Sequence, residues 1–416
     1  MNNTIPVKVA HGLVLAFSIS LGCRAGEVVS DHRALDDGRQ WLDPRATPGS
    51  TPSALLRAAA ASARNQSSVS EPLLLDIIRT QPASEPARGA HMLLSRIYLR
   101  SGQYRRAIAN LDEWARAFPD DEDVRKERAD VEQFRGLPDQ INGPKARATL
   151  PHDAASDFSA PLSINGMSAT YLLDTGAWMS VITEAEAKRF GMTIRAGAGV
   201  LNEPSGKGVS IRTAVARDLV LGGVTFHDVS FAVLPDGEPW SAMPLGHRGI
   251  VGIPILLSMD CIRWTRGGTW DLGCASDGDA SGTAKLVFYE NKALVAATVF
   301  DERVFLTLDT GAETTDLNVN FSRQFSKQVE SLGAKDTTSV TGAGGTAVID
   351  SITLPAVTFA LGSLSMALRP AHVTMQENAA LGGRCCVGNM GLDLLLQTGE
   401  IVINFSSMTL RLRESR

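Results

Sequence analysis

Two stretches of this chain place a carboxyl group in the same local setting, Asp174-Thr175-Gly176-Ala177 and Asp309-Thr310-Gly311-Ala312. Each aspartate follows an apolar run, TYLL or FLTL, which reads as a strand that fixes the backbone and raises the cost of charging the carboxyl. Gly176 and Gly311 let backbone amides approach the carboxyls where a side chain would obstruct them. One carboxyl cannot serve as acid and base in the same step. Two held within about 3 Å cannot readily ionise together, so they share a proton and titrate as a unit. Such a pair takes a proton from a water with one member while the other, protonated, polarises a carbonyl, and so cleaves a peptide bond without a covalent intermediate.

The elements that must position these groups are short. From about Asp157 onward the sequence runs in alternating stretches broken by Gly, Asn and Asp, the habit of antiparallel sheet. In PLSINGMSATYLL the pair Asn165-Gly166 suits a tight hairpin turn leading into Asp174. ALVAATVFDERVFLTL repeats that plan around Asp301-Glu302 and leads into Asp309. Further landmarks follow both aspartates in the same order. A glycine-bearing loop comes first, Ser205-Gly206-Lys207-Gly208 or Val340-Thr341-Gly342-Ala343-Gly344-Gly345, then Leu221-Gly222-Gly223 or Leu361-Gly362 closing a strand. Ile250-Val251-Gly252 and Cys386-Val387-Gly388 come next, before a last strand pair, DCIRW with TWDL and EIVINF with TLRL. The β region is a duplication.

On these residues each half resembles a retropepsin, the aspartic-protease type in which a hydrophobic strand delivers Asp-Thr-Gly-Ala. The resemblance covers roughly residues 157 to 414. It implies an aspartic endopeptidase with Asp174 and Asp309 as the catalytic pair, supported by Thr175, Gly176, Ala177, Thr310, Gly311 and Ala312, with the two threonine hydroxyls bonding across the lobe interface. It also implies flaps that bind extended substrate through Gly206 and Gly208 in the first half and Gly342, Gly344 and Gly345 in the second. Ordinary turns are the alternative, above all for the first loop, which lacks an aromatic at its tip. Ile250-Val251-Gly252 and Cys386-Val387-Gly388 would pack behind the catalytic loops, Cys386 standing in for an aliphatic residue. Glu313 and Asp316 add negative charge near Asp309; pointed at the pair, they would raise its proton affinity and shift or suppress activity. That supports an alternative, a protease fold without turnover that acts as a binding or scaffold protein. The lobes are expected to pair within a monomer, the alternative being a domain-exchanged dimer through the connection 275–284.

Residues 51–135 change character, with apolar residues recurring at three- and four-residue spacing in SALLRAAAASA, EPLLLDIIRT, AHMLLSRIYLRSG, YRRAIANLDEWARAF and EDVRKERADVEQF, as in packed helices. Leu94, Tyr98, Gly102, Tyr104, Ala107, Leu111 and Pro119 make the central pair resemble a tetratricopeptide repeat. One such unit cannot bury its face alone, so the flanking helices complete a short array, either a packing or dimerisation module or a groove for a protein partner.

Ahead of it, Lys8 and the apolar stretch from Gly12 to Leu21 fit a signal-peptide core, too short to span a bilayer comfortably. Ser20-Leu21-Gly22-Cys23 resembles a lipobox that would lipidate Cys23, and Cys23-Arg24-Ala25 also suits ordinary signal peptidase. Either predicts an exported protein, periplasmic or lipid-anchored to a bacterial envelope. Cys261 and Cys274 flank a hairpin whose turn is Arg266-Gly267-Gly268 and could join in an oxidising compartment; two buried thiols are the alternative. The net charge of −5, with no clustered Lys/Arg run, argues against nucleic acid. No metal-ligand spacing and no nucleotide-binding glycine fingerprint are present, so no cofactor is implied.

The expected organisation is an export signal at 1–25, a flexible tether at 26–50, a helical tetratricopeptide-like domain at 51–135 and a linker at 136–156. A first retropepsin-like lobe at 157–275, an interlobe linker at 276–284 and a second lobe at 285–416 complete an all-β bilobal acid-protease fold.

Overall fold

The computed structural model describes residues 53–151, 158–202, 208–274, 283–342, 345–375 and 386–414. The export segment with Cys23, the tether, Gly206, Gly344, Cys385 and most of the interlobe connection lie outside the described residues.

An array of helices precedes an all-β region: α1 (Ala54–Ala63), α2 (Ser67–Thr80), α3 (Glu85–Arg100), α4 (Tyr104–Ala117) and α5 (Glu122–Val131). Local chemistry sets their ends. The Ser84 hydroxyl accepts from Ala87 N–H at the start of α3, satisfying a donor the first turn leaves unpaired. Gly102, at φ +69°, makes the reversal into α4 that a side chain would resist. Leu94, Tyr98, Ala107 and Leu111 are buried between α3 and α4. A polar clasp fixes the same pair, with Asn110 donating to His91 O (2.8 Å) and to Ser95 Oγ (3.0 Å).

In the first lobe the hairpin Ser159–Ile164 and Met167–Leu173 turns through Asn165 and Gly166, both at positive φ. In the second, Lys292–Val299 and Glu302–Leu308 turn through Phe300 and Asp301 at φ +48° and +64°, one residue earlier than the Asp301-Glu302 expected. Phe300 is held in that conformation beside Phe325 (5.3 Å between rings) and Phe321. Gly222-Gly223 and Gly362 close their hairpins at positive φ.

The lobes are joined by a continuous sheet whose strands run in the order Thr283–Tyr289, Thr409–Arg413, Glu400–Asn404, Cys261–Thr265, Thr269–Leu272 and Ala148–Pro151. At its centre the closing strands of the two lobes pair antiparallel, Ile262 opposite Ile403 and Trp264 opposite Ile401, so a pseudo-two-fold relation passes between them. The same symmetry shows what Ala148–Pro151 is. It pairs with Thr269–Leu272 as Thr283–Tyr289 pairs with Thr409–Arg413, and is the first lobe's opening strand. Residues expected as a linker thus contribute sheet, as does Ile141–Asn142, paired with the strand Val224–Leu234. Three prolines and weak periodicity hid both, because an edge strand needs partners on one side only. Cys261 and Cys274 are disulfide-bonded, with Cα atoms 5.2 Å apart.

The helices are docked on this β body. Trp178, just after the first tetrapeptide, packs edge-on against Phe134 (5.3 Å) within a core shared by Ala177, Met179, Trp240 and the helices. Contacts reach the second lobe too: buried Arg100 lies over the Phe288 ring (4.8 Å), and Asn65 donates to Phe405 O (3.2 Å).

Candidate active site

Each aspartate sits where its strand ends. Asp174 N–H donates to Val251 O and Asp309 N–H to Met390 O, both at 3.0 Å, so both loops hang from the same construction. In the first lobe Leu172 and Leu173 run parallel to Ile250 and Val251; in the second Thr307 and Leu308 run parallel to Asn389 and Met390.

This register corrects one expected equivalence. The counterpart of Ile250-Val251-Gly252 is Asn389-Met390-Gly391, not Cys386-Val387-Gly388. Gly252 and Gly391 each begin a short helix, Ile253–Leu256 and Leu392–Leu395. Their amides donate to Ser180 Oγ (3.1 Å) and Thr315 Oγ1 (3.0 Å). A Cβ on either glycine would strike the backbone of the aspartate-bearing loop, at Ala177 O (2.6 Å) or Thr314 O (2.5 Å). Cys386 instead lies in a separate small core with Leu294 and Phe305, and Gly388 packs on the strand Asp316–Leu317. The aliphatic-aliphatic-Gly pattern misled because the true second copy carries an asparagine at its first position.

The loops meet within one chain. Thr175 N–H donates to Thr310 Oγ1 (3.0 Å) and Thr310 N–H to Thr175 Oγ1 (3.1 Å). Each hydroxyl then donates to a carbonyl across the interface, Thr175 to Leu308 (2.7 Å) and Thr310 to Leu173 (2.6 Å). Every polar group of this cage is matched, which buried groups require. A Cβ on Gly176 would run into the Asp309 carboxyl and one on Gly311 into that of Asp174, so these glycines are what let the carboxyls approach. Ala177 and Ala312 are buried beneath and pass their carbonyls to Ile253 and Leu392 N–H (2.8 Å each).

Asp174 and Asp309 are both 0% exposed. Asp174 Oδ1 accepts from Gly176 (2.7 Å) and Ala177 N–H (3.2 Å); Asp309 Oδ1 accepts from Gly311 N–H (3.0 Å). Asp309 Oδ2 accepts from the Asn389 side-chain amide at 2.7 Å. Burial, and then the charge of Asp309, push Asp174 well above the usual carboxylate range. Burial raises Asp309 too, opposed by the Asn389 and Gly311 donors. The pair therefore holds one proton well above the pH at which a free aspartate loses it.

Of the two acidic neighbours, Asp316 is the one placed to matter. It is 7% exposed, and burial, then Asp393 and Asp309, push it up to about 7. Glu313 is only half-buried, its backbone carbonyl accepting from Asp393 N–H (3.0 Å). Thr315 donates to Asp393 Oδ1 (2.5 Å) and so ties the helix Leu392–Leu395 to this loop.

The flap residues do not come to the carboxyls in any contact among the described residues. Gly342 and Gly345 pair at the end of the hairpin Ala334–Gly342 and Gly345–Leu354, and Gly208 pairs with Asn202 at the start of a long strand. Asn389, Thr315 and Asp393 were missed from sequence. Asn389 had a signal, a polar residue in the hydrophobic pair preceding Gly391.

An aspartyl protease family model matches residues 160–260 and a tetratricopeptide repeat model matches residues 88–131. Among solved structures, an aspartic proteinase from Irpex lacteus is similar at 12% identity and a TM-score of 0.42, over 65% of this chain and 98% of its own. A retropepsin-like aspartic protease from Rickettsia conorii is similar at 14% identity and a TM-score of 0.22, over 32% of this chain and 91% of its own. Conglutin gamma, a basic 7S globulin from lupine seeds, is similar at 12% identity and a TM-score of 0.36, over 65% of this chain and 96% of its own. No curated protein matches the chain. The matched spans are most of the first lobe and the helices from α3 to α5.

Proposed function

We propose that the chain is an aspartic endopeptidase in which Asp174 and Asp309 act as one acid–base unit on an extended polypeptide. The observation that carries this reading is the reciprocal threonine cage, which brings two buried carboxyls together inside one chain. The ionised carboxyl takes a proton from a water as its oxygen bonds to the scissile carbonyl carbon. The protonated carboxyl meanwhile gives its proton to the carbonyl oxygen. The resulting diol collapses when the first carboxyl returns its proton to the departing nitrogen, the C–N bond breaks, and a diol proton passes back to the second. Water is consumed and the pair ends as it began.

The hairpin Ala334–Gly342 and Gly345–Leu354 is proposed as the flap that closes over substrate through backbone hydrogen bonds. Export to the periplasm, with Cys23 as a lipid anchor or with simple cleavage near it, is part of the same reading. The Cys261–Cys274 disulfide supports it, since such bonds persist in oxidising compartments.

The test is cleavage of an unfolded protein in water enriched in heavy oxygen, from acid to neutral pH. Internal cuts, each leaving one heavy oxygen on the new carboxyl terminus and no covalent adduct on the enzyme, are the expected result. Trimming from chain ends only, or a trapped acyl-enzyme, would sink it.

A further inference from the structure

Beneath their aspartates the two lobes differ in a pair of facing residues. In the first, Val181 and Ile250 face each other across antiparallel strands, both fully buried. At the matching register of the second lobe the pair is Asp316 and Asn389. Residues opposite each other in such a pair share one face of the sheet, so an apolar contact in one lobe is a polar one in the other. Only the polar lobe reaches its carboxyl: Asn389, 4% exposed, donates Nδ2 to Asp309 Oδ2 at 2.7 Å. An isoleucine at 250 can donate nothing to Asp174.

The remaining oxygens fit this difference. Asp174 Oδ2 is buried and receives no donor among the described residues. Carrying a proton, it can instead act as a donor toward its neighbour Asp309, whose charge helps raise Asp174. Asp309 has donors on both oxygens, the pattern that favours an ionised carboxylate.

We propose that Asn389 is a positioning residue that breaks the symmetry of the pair, holding Asp309 as the carboxylate and leaving the shared proton on Asp174. This rests on the peptidase reading and adds direction to it. Asp309 becomes the group that takes the proton from water, and Asp174 the one that protonates the scissile carbonyl. The other titratable groups around Asp309 are Asp316 on the adjacent strand, Asp393 beyond it and Glu313 on the following loop. All are acidic. What raises Asp309 is its burial, and the Asn389 side chain, ahead of the Gly311 amide, is the donor that most opposes it.

Two variants test this in the full chain. Asn389→Leu removes the donor and keeps the branched heavy-atom shape of the side chain. The double variant Asp316→Val with Asn389→Ile installs the pair that the first lobe already accommodates, which guards against simple misfolding. The readout is the pH titration of isotope-labelled aspartate carboxyl carbons, assigned with Asp174→Asn and Asp309→Asn, together with the pH profile of kcat/KM.

In the parent chain Asp309 is expected to ionise first. In Asn389→Leu its midpoint should rise by on the order of one pH unit, and the acid limb of kcat/KM should move by the same amount while KM changes little. Identical carboxyl midpoints with and without the Asn389 amide, or Asp174 ionising first in the parent, would overturn the assignment. The two proposals fail separately. Cleavage that needs both aspartates but ignores position 389 sinks the role of Asn389 alone. Shifted carboxyl titrations in a chain that cuts nothing sink the peptidase reading and keep the proton assignment.

Discussion

Thr175 and Thr310 do more for the site than their place in a tetrapeptide suggests. Each hydroxyl accepts the partner's amide and donates to a carbonyl of the opposite lobe, so Thr175→Val leaves two buried backbone groups without partners. The loss should be about 1–3 kcal/mol, read as a lower denaturant midpoint. The double variant with Thr310→Val should lose less than the sum, because both hydroxyls serve one cage. Additive losses would mean the two act independently. Asp316 yields a second expectation. It is pushed up to about 7 in the folded chain, while in the unfolded chain it ionises in the ordinary aspartate range. Between those values the folded state holds a proton the unfolded state lacks, so stability falls as pH rises and levels off above about 7. Asp316→Val, which copies Val181, should flatten that fall in denaturant unfolding measured across the range. An unchanged slope would remove Asp316 as its source.

Elements show where sequence was informative and where it was not. The hairpin before Asp174 was legible because Asn165-Gly166 supplies the positive φ its turn needs. The closing strand pairs were legible from alternation, and their lengths agree with Cys261–Thr265 and Glu400–Asn404. The second lobe's supporting strand was misplaced from Asn389-Met390-Gly391 to Cys386-Val387-Gly388, since a search for two apolar residues before glycine passes over an asparagine that serves as a hydrogen-bond donor. Ala148–Pro151 was invisible for another reason. Its partners lie far along the chain, in Thr269–Leu272, and nothing local distinguishes an edge strand from a linker. Hydrogen exchange checks this directly. The ladder amides within 148–150 should exchange much more slowly than those of an unstructured linker, and free exchange there would contradict the shared sheet.

At the scale of the whole molecule the helices are part of the body that holds the aspartate-bearing loops. Trp178 and Met179 follow the first tetrapeptide directly, and their burial is completed by Phe134 and the helical core. A chain beginning after residue 135 would expose this apolar surface, so it should unfold at lower temperature than the full chain and aggregate more readily. Equal stability of the two would show that the lobes stand without the helices. The proposed catalytic unit is Asp174 with Asp309, which the fold joins through one cage and buries together. It is tested most directly by the rate at which the parent chain, Asp174→Asn and Asp309→Asn cut an unfolded protein at matched pH. Because neither carboxyl can be acid and base at once, each single variant should lose about two to four orders of magnitude in rate; equal cleavage by all three would contradict the account.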